Sequence, residues 1–177
     1  RQAGHTEVLK LLMERSPDSL KLAQALDLGD RDLFNRLLAS SPEMPKSLSP
    51  GERRKLVDAA QDQNIDAVRL MLEAGWPVDA RGQHGGTALH WAAWHGNVEM
   101  AQLILRFHPP LEAEDSDYGG VPLGWAIHAS EHGWHPESGD YAGTVSALLK
   151  AGARPPPTIC GSPAVRAVLQ GISAGSA

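Results

Sequence analysis

Two adjacent stretches of the chain share a pattern that repeats after 33 residues, and this period limits the fold more than any other feature of the sequence. Residues 54–80 align with residues 87–113 without a gap. In that register Asn64 falls on Asn97, and the paired alanines and the leucines of the two stretches coincide as well. A period of this length is typical of stacked repeats, in which each unit buries its apolar face against its neighbours.

Each repeating unit contains two predicted helices. Asn64 and Asn97 stand where the N-cap of the second helix belongs, because a short polar side chain accepts a backbone N–H at a helix start. Apolar residues then recur at helical spacing. Gly75 and Gly152 follow, and both are suited to a left-handed helix stop. The unit therefore reads as helix, short turn, helix and loop.

The segment GGTALHWAAWHGN at 85–97 resembles the T-P-L-H-x-A-A-x-x-G core of ankyrin repeats, with Ala88 in place of proline. The segment GGVPLGWAI at 119–127 is a second, looser copy. The resemblance implies an all-α ankyrin-repeat α-solenoid, in which stacked helix-turn-helix units are joined by short β-hairpin fingers. It also implies that Thr87 and His90 form hydrogen bonds within and between neighbouring fingers.

We expect a single ankyrin-repeat domain over residues 1–177, built from units of unequal regularity. Because the chain begins in the middle of the pattern, we also expect it to be a fragment of a longer protein. The expected units are a remnant of a truncated repeat at 1–17, a degenerate repeat at 18–50, a repeat at 51–80, the best-matched repeat at 81–114, a repeat at 115–154 with an insertion near 130–139, and a C-terminal cap and tail at 155–177.

The segment HASEHGWH at 128–135 lies at this insertion. His128, Glu131 and His132 spell H-x-x-E-H, the pattern of an inverted zinc-protease helix. If the helix continues through His132, the two histidines share one face, and His135 offers a third nitrogen for a metal.

Two features of the sequence weigh against a zinc enzyme. Gly133 is expected to end the helix, and the chain has no acidic residue after Asp140 to act as a distant ligand. Packing and polar capping within an enlarged loop is therefore the preferred interpretation. A metal site on the three histidines stays as the alternative, and no cofactor is expected.

Composition narrows the class of partner. Sixteen Lys and Arg against 21 Asp and Glu give a net charge of −5, which disfavours nucleic acid. No apolar run approaches the roughly 18 residues that cross a bilayer, so no membrane association is expected. The lone Cys160 excludes an internal disulfide and a cysteine-based zinc knuckle. We expect a monomer that binds another protein; its compartment is not specified, with the cytoplasm favoured.

In the ankyrin family, partners usually meet the finger tips and the exposed positions of the first helices. Trp94 stands at such a position, whereas Trp91 and Trp125 are expected to pack between adjacent repeats. Trp76 is expected to seal the outer helix layer, and the sequence does not place Trp134. Carried over by motif, the candidate partner-binding residues are Gln61, Asp62, Arg81, Gln83, His84, Trp94, His95, Asp115, Asp117, Tyr118 and His128.

The sequence contains no recognisable catalytic motif. No serine, cysteine or carboxylate is placed to form a catalytic triad with His84, His95 or His108. The sequence therefore predicts a non-catalytic scaffold that recognises a protein partner through its concave face and finger tips. A rigid surface of this kind loses little order on binding. Three alternatives stay open: a metal-responsive module, a regulatory segment of a larger enzyme, and a structural spacer without a partner.

Overall fold

The structure is a computed structural model that describes residues 21–22, 25 and 30–175, with side chains up to residue 171. The expected repeat remnant at 1–17, most of 18–29 and the last two residues of the tail lie outside the described residues.

The chain divides into two units between Glu52 and Arg53. The first unit contains helix α1, Arg31–Ser40, and a 3-10 turn, Met44–Ser47. The carboxylate of Asp30 caps α1 by accepting a backbone N–H of the first turn at 2.9 Å. The Pro-rich segment after α1 contains the 3-10 turn and has no regular finger.

The second unit is built from helix pairs. The expected all-α solenoid of stacked pairs is confirmed, and no described residue lies in a β-strand. Its helices are α2 (Pro50–Gln61, which crosses the division), α3 (Ile65–Glu73), α4 (Ala88–Trp94), α5 (Val98–Leu105), α6 (Pro122–His132), α7 (Tyr141–Lys150) and α8 (Pro163–Gly175).

The helices of the second unit stack in two rows. α4 packs against α6, the first helix of the next pair, and also against its own partner α5. α5 in turn lies between α3 and α7, and α8 packs on α7. First helices thus contact first helices, and second helices contact second helices, so that each pair buries its apolar face against its neighbours.

Local signals set the ends of the second helices. Asn64 accepts the N–H of Ala67 at 3.1 Å, and Asn97 accepts the N–H of Met100 at 3.0 Å, which confirms both predicted caps. Gly75 and Gly152 follow α3 and α7 at φ +94° and +105°. That left-handed conformation is costly for a residue with a Cβ, so the predicted helix stops are confirmed too.

Small and aliphatic side chains fill the space between the rows. Ala92 and Ala93 are fully buried, and they allow α4 and α6 to approach closely. Trp76, which follows α3, is also buried, as expected.

The pair α6 and α7 is enlarged relative to the pair before it. α6 has 11 residues, whereas α4 has seven. The connection that follows is also longer, because α7 begins only at Tyr141, while α5 begins three residues after His95. Gly133 ends α6, as expected. The extra residues thus add a helical turn and enlarge the loop at 133–140, which carries Trp134.

Candidate functional site

Two fingers form one wall of the site. The first finger, 82–86, is closed by a hydrogen bond from the N–H of Gly82 to the carbonyl of Gly86 at 2.9 Å. The second finger, 115–120, is closed from Asp115 to Gly120 at the same distance. A bond from the N–H of Ser116 to the carbonyl of His84, at 2.8 Å, joins them. The fingers are therefore hydrogen-bonded turns, and they contain no strand.

His90 connects α4 to both fingers. Its Nδ1 accepts the N–H of Thr87 at 3.0 Å and lies 2.9 Å from the Thr87 hydroxyl. With Nδ1 accepting, Nε2–H donates to the carbonyl of Gly120 at 3.1 Å. Burial lowers the pKa of His90, so the ring stays neutral at pH 7. The hydrogen bonds expected of Thr87 and His90 are confirmed.

Asp115 organises the second finger and one tryptophan. Its Oδ1 accepts the N–H groups of Asp117 and Tyr118 at 2.9 and 2.7 Å. Its Oδ2 accepts the N–H of Gly120 at 2.8 Å and the indole Nε1–H of Trp125 at 2.9 Å. Burial acts to raise the pKa of Asp115, but these hydrogen bonds outweigh it and hold the pKa below its ordinary value. The carboxylate is therefore charged beside the Trp125 ring.

His84 and Asp117 pair across the finger tips. The His84 Nδ1–H donates to Asp117 Oδ2 at 2.6 Å, and this bond lowers the pKa of Asp117. Arg81 donates to the backbone carbonyls of Gly85 and Glu114. Its guanidinium thus ties the bases of the two fingers together.

An open cavity of about 620 Å³ lies between the fingers and the first helices, and we call it the aromatic pocket. Four tryptophans from α4, α6 and the enlarged loop line it, together with the exposed Tyr118. The lining residues are His84, Trp91, Trp94, Tyr118, Gly120, Gly124, Trp125, His128 and Trp134.

Three of the four contacts between the indole rings are made at steep angles, and the fourth, between Trp91 and Trp134, is made at 35°. Trp125 meets Trp91 and Trp94 with ring centroids 5.5 and 5.7 Å apart and interplanar angles of 84° and 73°. Trp134 lies 5.8 Å from both Trp91 and Trp94, at 82° to the latter. His128 stacks on Trp94 at 6.1 Å. Edge-to-face contacts of this kind fix ring orientations, so the pocket is held in shape before any ligand binds.

Two indole N–H groups next to the pocket have no partner. Nε1 of Trp91 and Nε1 of Trp94 are buried and make no hydrogen bond, in contrast to Nε1 of Trp125. Each buried, unpaired donor costs about 1–3 kcal/mol of folding free energy.

His95 and Asp115 were expected to be exposed, but they are buried, with 5% and 4% of their surface accessible. The Nε2–H of His95 donates to the carbonyl of Gln61 at 2.8 Å and joins α4 to the preceding repeat. Burial lowers the pKa of His95. Both side chains are therefore buried and hydrogen-bonded within the fold.

The aromatic pocket brings together four of the predicted partner-binding residues, and the others lie elsewhere. His84, Trp94, Tyr118 and His128 line it. Asp117 is exposed beside His84. The remaining predicted residues lie outside the lining: Gln61 and Gln83, which share a hydrogen bond at 3.1 Å, and the exposed Asp62 and Arg81.

Five lining residues were missing from the predicted set. Trp91 is buried, as expected, yet it still reaches the pocket, and Trp125 is half-buried rather than fully enclosed. Trp134 is 57% exposed, Gly120 leaves room for the ring of Trp125, and Gly124 lines the pocket with open space around it. Two features of the sequence could have indicated an aromatic pocket: the high share of tryptophan among the aromatic residues and the inserted loop. Neither feature determines the direction of a ring.

The three-histidine metal site is not formed. His128 and His132 do share one face of α6, with ring centroids 4.9 Å apart. His135 follows Gly133 and lies instead 6.0 Å from the ring of His95. Within the described residues no three His, Cys, Asp or Glu side chains come together as metal ligands.

Comparison with known proteins supports the repeat assignment. Residues 56–105 match the family model described as ankyrin repeats in many copies. The chain is 38% identical over 74 residues, 41% of its length, to the ankyrin repeat and LEM domain-containing protein 1 homolog of Caenorhabditis elegans. It is 34% identical over 109 residues, 61% of its length, to the probable E3 ubiquitin-protein ligase XBOS33 of Oryza sativa subsp. japonica. It is 29% identical over 126 residues, 71% of its length, to the palmitoyltransferase Hip14 of Drosophila melanogaster.

The repeat period, the stacked helix pairs and the family match agree, and residues 56–105 are ankyrin repeats. The matched segments span 10%, 21% and 18% of the lengths of those three relatives. Ankyrin repeats are modules of protein–protein interaction. In the part of the chain that the structure describes, no helix is long and apolar enough to cross a membrane.

Proposed function

We propose that this chain binds a protein partner through the aromatic pocket and the adjacent finger tips, without catalysing a reaction. The aromatic pocket carries this proposal, because it gathers four tryptophans and a tyrosine on the face formed by the first helices and the fingers. Tryptophan and tyrosine are enriched among the residues that contribute most to binding at protein interfaces.

The construction of the pocket supports recognition by a preformed surface. Asp115 fixes Trp125, and His90 fixes the carbonyl of Gly120. A site that is held in its binding geometry loses little conformational entropy when a partner arrives. The lining residues include no serine, cysteine, lysine or carboxylate, so they supply no hydroxyl nucleophile of serine, no thiol and no carboxylate base.

A second proposal concerns the longer protein. The names of two relatives describe enzymes, an E3 ubiquitin-protein ligase and a palmitoyltransferase, and the match spans about a fifth of each. We propose that this chain is the non-catalytic recognition segment of a larger protein, which is in turn an enzyme. Sequencing the complete coding region tests this directly: a catalytic domain in the same reading frame supports it, and a transcript without one contradicts it.

Capture of the partner tests the binding proposal. Tyr118 and Trp134 are 80% and 57% exposed, so Tyr118→Ala and Trp134→Ala together leave the fold intact while removing two walls of the pocket. Ile159→Ala is the matched control, because Ile159 is an exposed apolar residue outside the pocket.

We expect the wild-type protein and Ile159→Ala to retain the same partner after cross-linking in a lysate, identified by mass spectrometry. The double variant should bind at least about thirtyfold more weakly, since an aromatic hot spot contributes roughly 2 kcal/mol or more. Equal recovery by all three proteins would show that the partner binds elsewhere.

A further inference from the structure

We propose that the aromatic pocket accepts the side chain of a methylated lysine, whose quaternary ammonium lies against the indole faces. This inference rests on the proposed function and names the chemistry of the residue that the partner inserts. The argument follows from the ring geometry, the charges around the pocket and its shortage of hydrogen-bond acceptors.

The ring geometry suits a rounded cation. Trp94 and Trp134 stand at 82° to each other, and Trp125 stands at 73° to Trp94, so the cavity has aromatic walls in several planes. An indole face is the best aromatic partner for a cation, and aromatic cages are the usual receptors for quaternary ammonium groups. The volume of about 620 Å³ lies within the range of about 300–1,000 Å³ typical of sites for small molecules.

The charges around the pocket favour a positive ligand. No lysine or arginine is among the lining residues. The carboxylate of Asp115 lies behind one wall and accepts the indole N–H of Trp125, which increases the electron density of that ring. Asp117 adds a second carboxylate at the rim, against His84. Arg81, which precedes the first finger, is tied to two backbone carbonyls.

The shortage of acceptors favours a methylated ammonium over an unmodified one. A lysine ammonium carries three N–H donors that must be satisfied when it leaves water. The carbonyl of Gly120 at the pocket wall already accepts from His90 Nε2 and from the N–H of Asp115. At the rim, the Asp117 carboxylate already accepts from His84 Nδ1–H and from the Ser116 hydroxyl. The side-chain acceptors within the lining are imidazole nitrogens and one phenol. A trimethylammonium has no N–H, so it enters this pocket without leaving a donor unpaired.

A capped amino acid tests the pocket without assuming a partner sequence. We would titrate ¹⁵N-labelled protein at one fixed pH with N-acetyl-Nε-trimethyllysine amide. The indole N–H signals of the five tryptophans report binding. The two comparison probes are N-acetyl-lysine amide and the neutral analogue in which a tert-butyl group replaces trimethylammonium.

We expect saturable shifts of the pocket indoles but not of Trp76, with the trimethylated probe binding about tenfold tighter than either comparison probe. Equal binding of the neutral analogue would overturn the inference that the pocket recognises a cation. The pocket would then be one for an apolar side chain. If no probe binds while Tyr118→Ala and Trp134→Ala still release the partner, the inference fails and the proposed function stands.

Gly124 and Gly51 offer a matched pair of positions for one substitution. A Cβ at Gly124 would meet no atom closer than 3.9 Å and a Cβ at Gly51 none within 4 Å, but only Gly124 lines the pocket, so Gly51→Arg is the control. Gly124→Arg places a long cationic side chain at the pocket wall and should abolish the shifts caused by the trimethylated probe. Trp134→Leu should weaken binding about tenfold through loss of one ring. Unchanged affinity in Gly124→Arg and Trp134→Leu would overturn the inference.

Discussion

Asp115 joins the second finger to the aromatic pocket because both of its oxygens accept hydrogen bonds. The arrangement requires a glycine at position 120: a Cβ there would meet Asp115 Oδ2 at 2.7 Å and Trp125 Nε1 at 3.0 Å. Both contacts are too short for a carbon atom, and both partners are held by the same hydrogen bond. One added methyl group therefore has to displace Asp115 Oδ2, which weakens its bond to Trp125.

We predict that Gly120→Ala lowers the free energy of unfolding by about 1–3 kcal/mol, because a buried carboxylate loses a partner. Urea denaturation followed by circular dichroism measures the change. Gly124→Ala is the control: with open space around its Cβ and a position inside α6, it should raise stability by up to about 1 kcal/mol. Wild-type stability of Gly120→Ala would mean that Asp115 and Trp125 do not need this contact.

At the level of the helices, α7 needs its own start signal, because the connection between α6 and α7 is enlarged. Asp140 provides this signal by accepting the N–H of Gly143 at 2.7 Å. Its negative charge also favours the N-terminal end of a helix. The position matches that of Asn64 and Asn97, so each of the three second helices begins with the same kind of cap.

We predict that Asp140→Ala costs about 1 kcal/mol, whereas Asp140→Asn costs only a few tenths, because an amide oxygen caps nearly as well as a carboxylate. Thermal unfolding of the variants tests this. Glu137→Ala, an exposed change in the same loop, should leave the melting temperature unchanged. A melting temperature as low in Asp140→Asn as in Asp140→Ala would contradict the capping role.

Helices and caps could be predicted because their signals are local. The spacing of His128 and His132 placed them correctly on one helical face. The loop after Gly133 has no periodicity, so the direction of Trp134 and His135 depends on contacts that no short pattern encodes. The burial of His95 and Asp115 was missed for a related reason: their partners come from other parts of the chain, such as Gln61 and Trp125.

Across the whole array, two buried neutral histidines join the best-matched repeat to both of its neighbours. His90 donates forward to Gly120, and His95 donates back to Gln61. Burial lowers the pKa of both, so protonation is resisted in the folded state but not in the unfolded state. A repeat array is held together by such contacts between neighbours, so both histidines affect the stability of the stack.

We predict that the free energy of unfolding falls as the pH is lowered from about 7.5 to about 5.5. The unfolded state takes up protons below the ordinary histidine pKa of 6.5, while the folded state takes up fewer, so the stabilisation is complete above that value and lost below it. Urea titrations across this range measure the slope. His95→Gln should reduce the dependence of the free energy of unfolding on pH. His108→Asn, a change at an exposed residue, is the control and should not reduce it. A free energy that rises on acidification would contradict this account.

The contact of four indoles in one cluster also has an optical consequence. Trp91, Trp94, Trp125 and Trp134 lie within 6 Å of one another along a chain of ring contacts. Excitation energy therefore passes readily among these rings, and their transitions couple in the ultraviolet. Fluorescence anisotropy should be low for a folded protein of 18.9 kDa, and near-ultraviolet circular dichroism should be strong. A molecule that enters between the rings changes both signals, so this protein carries its own spectroscopic reporter of occupancy.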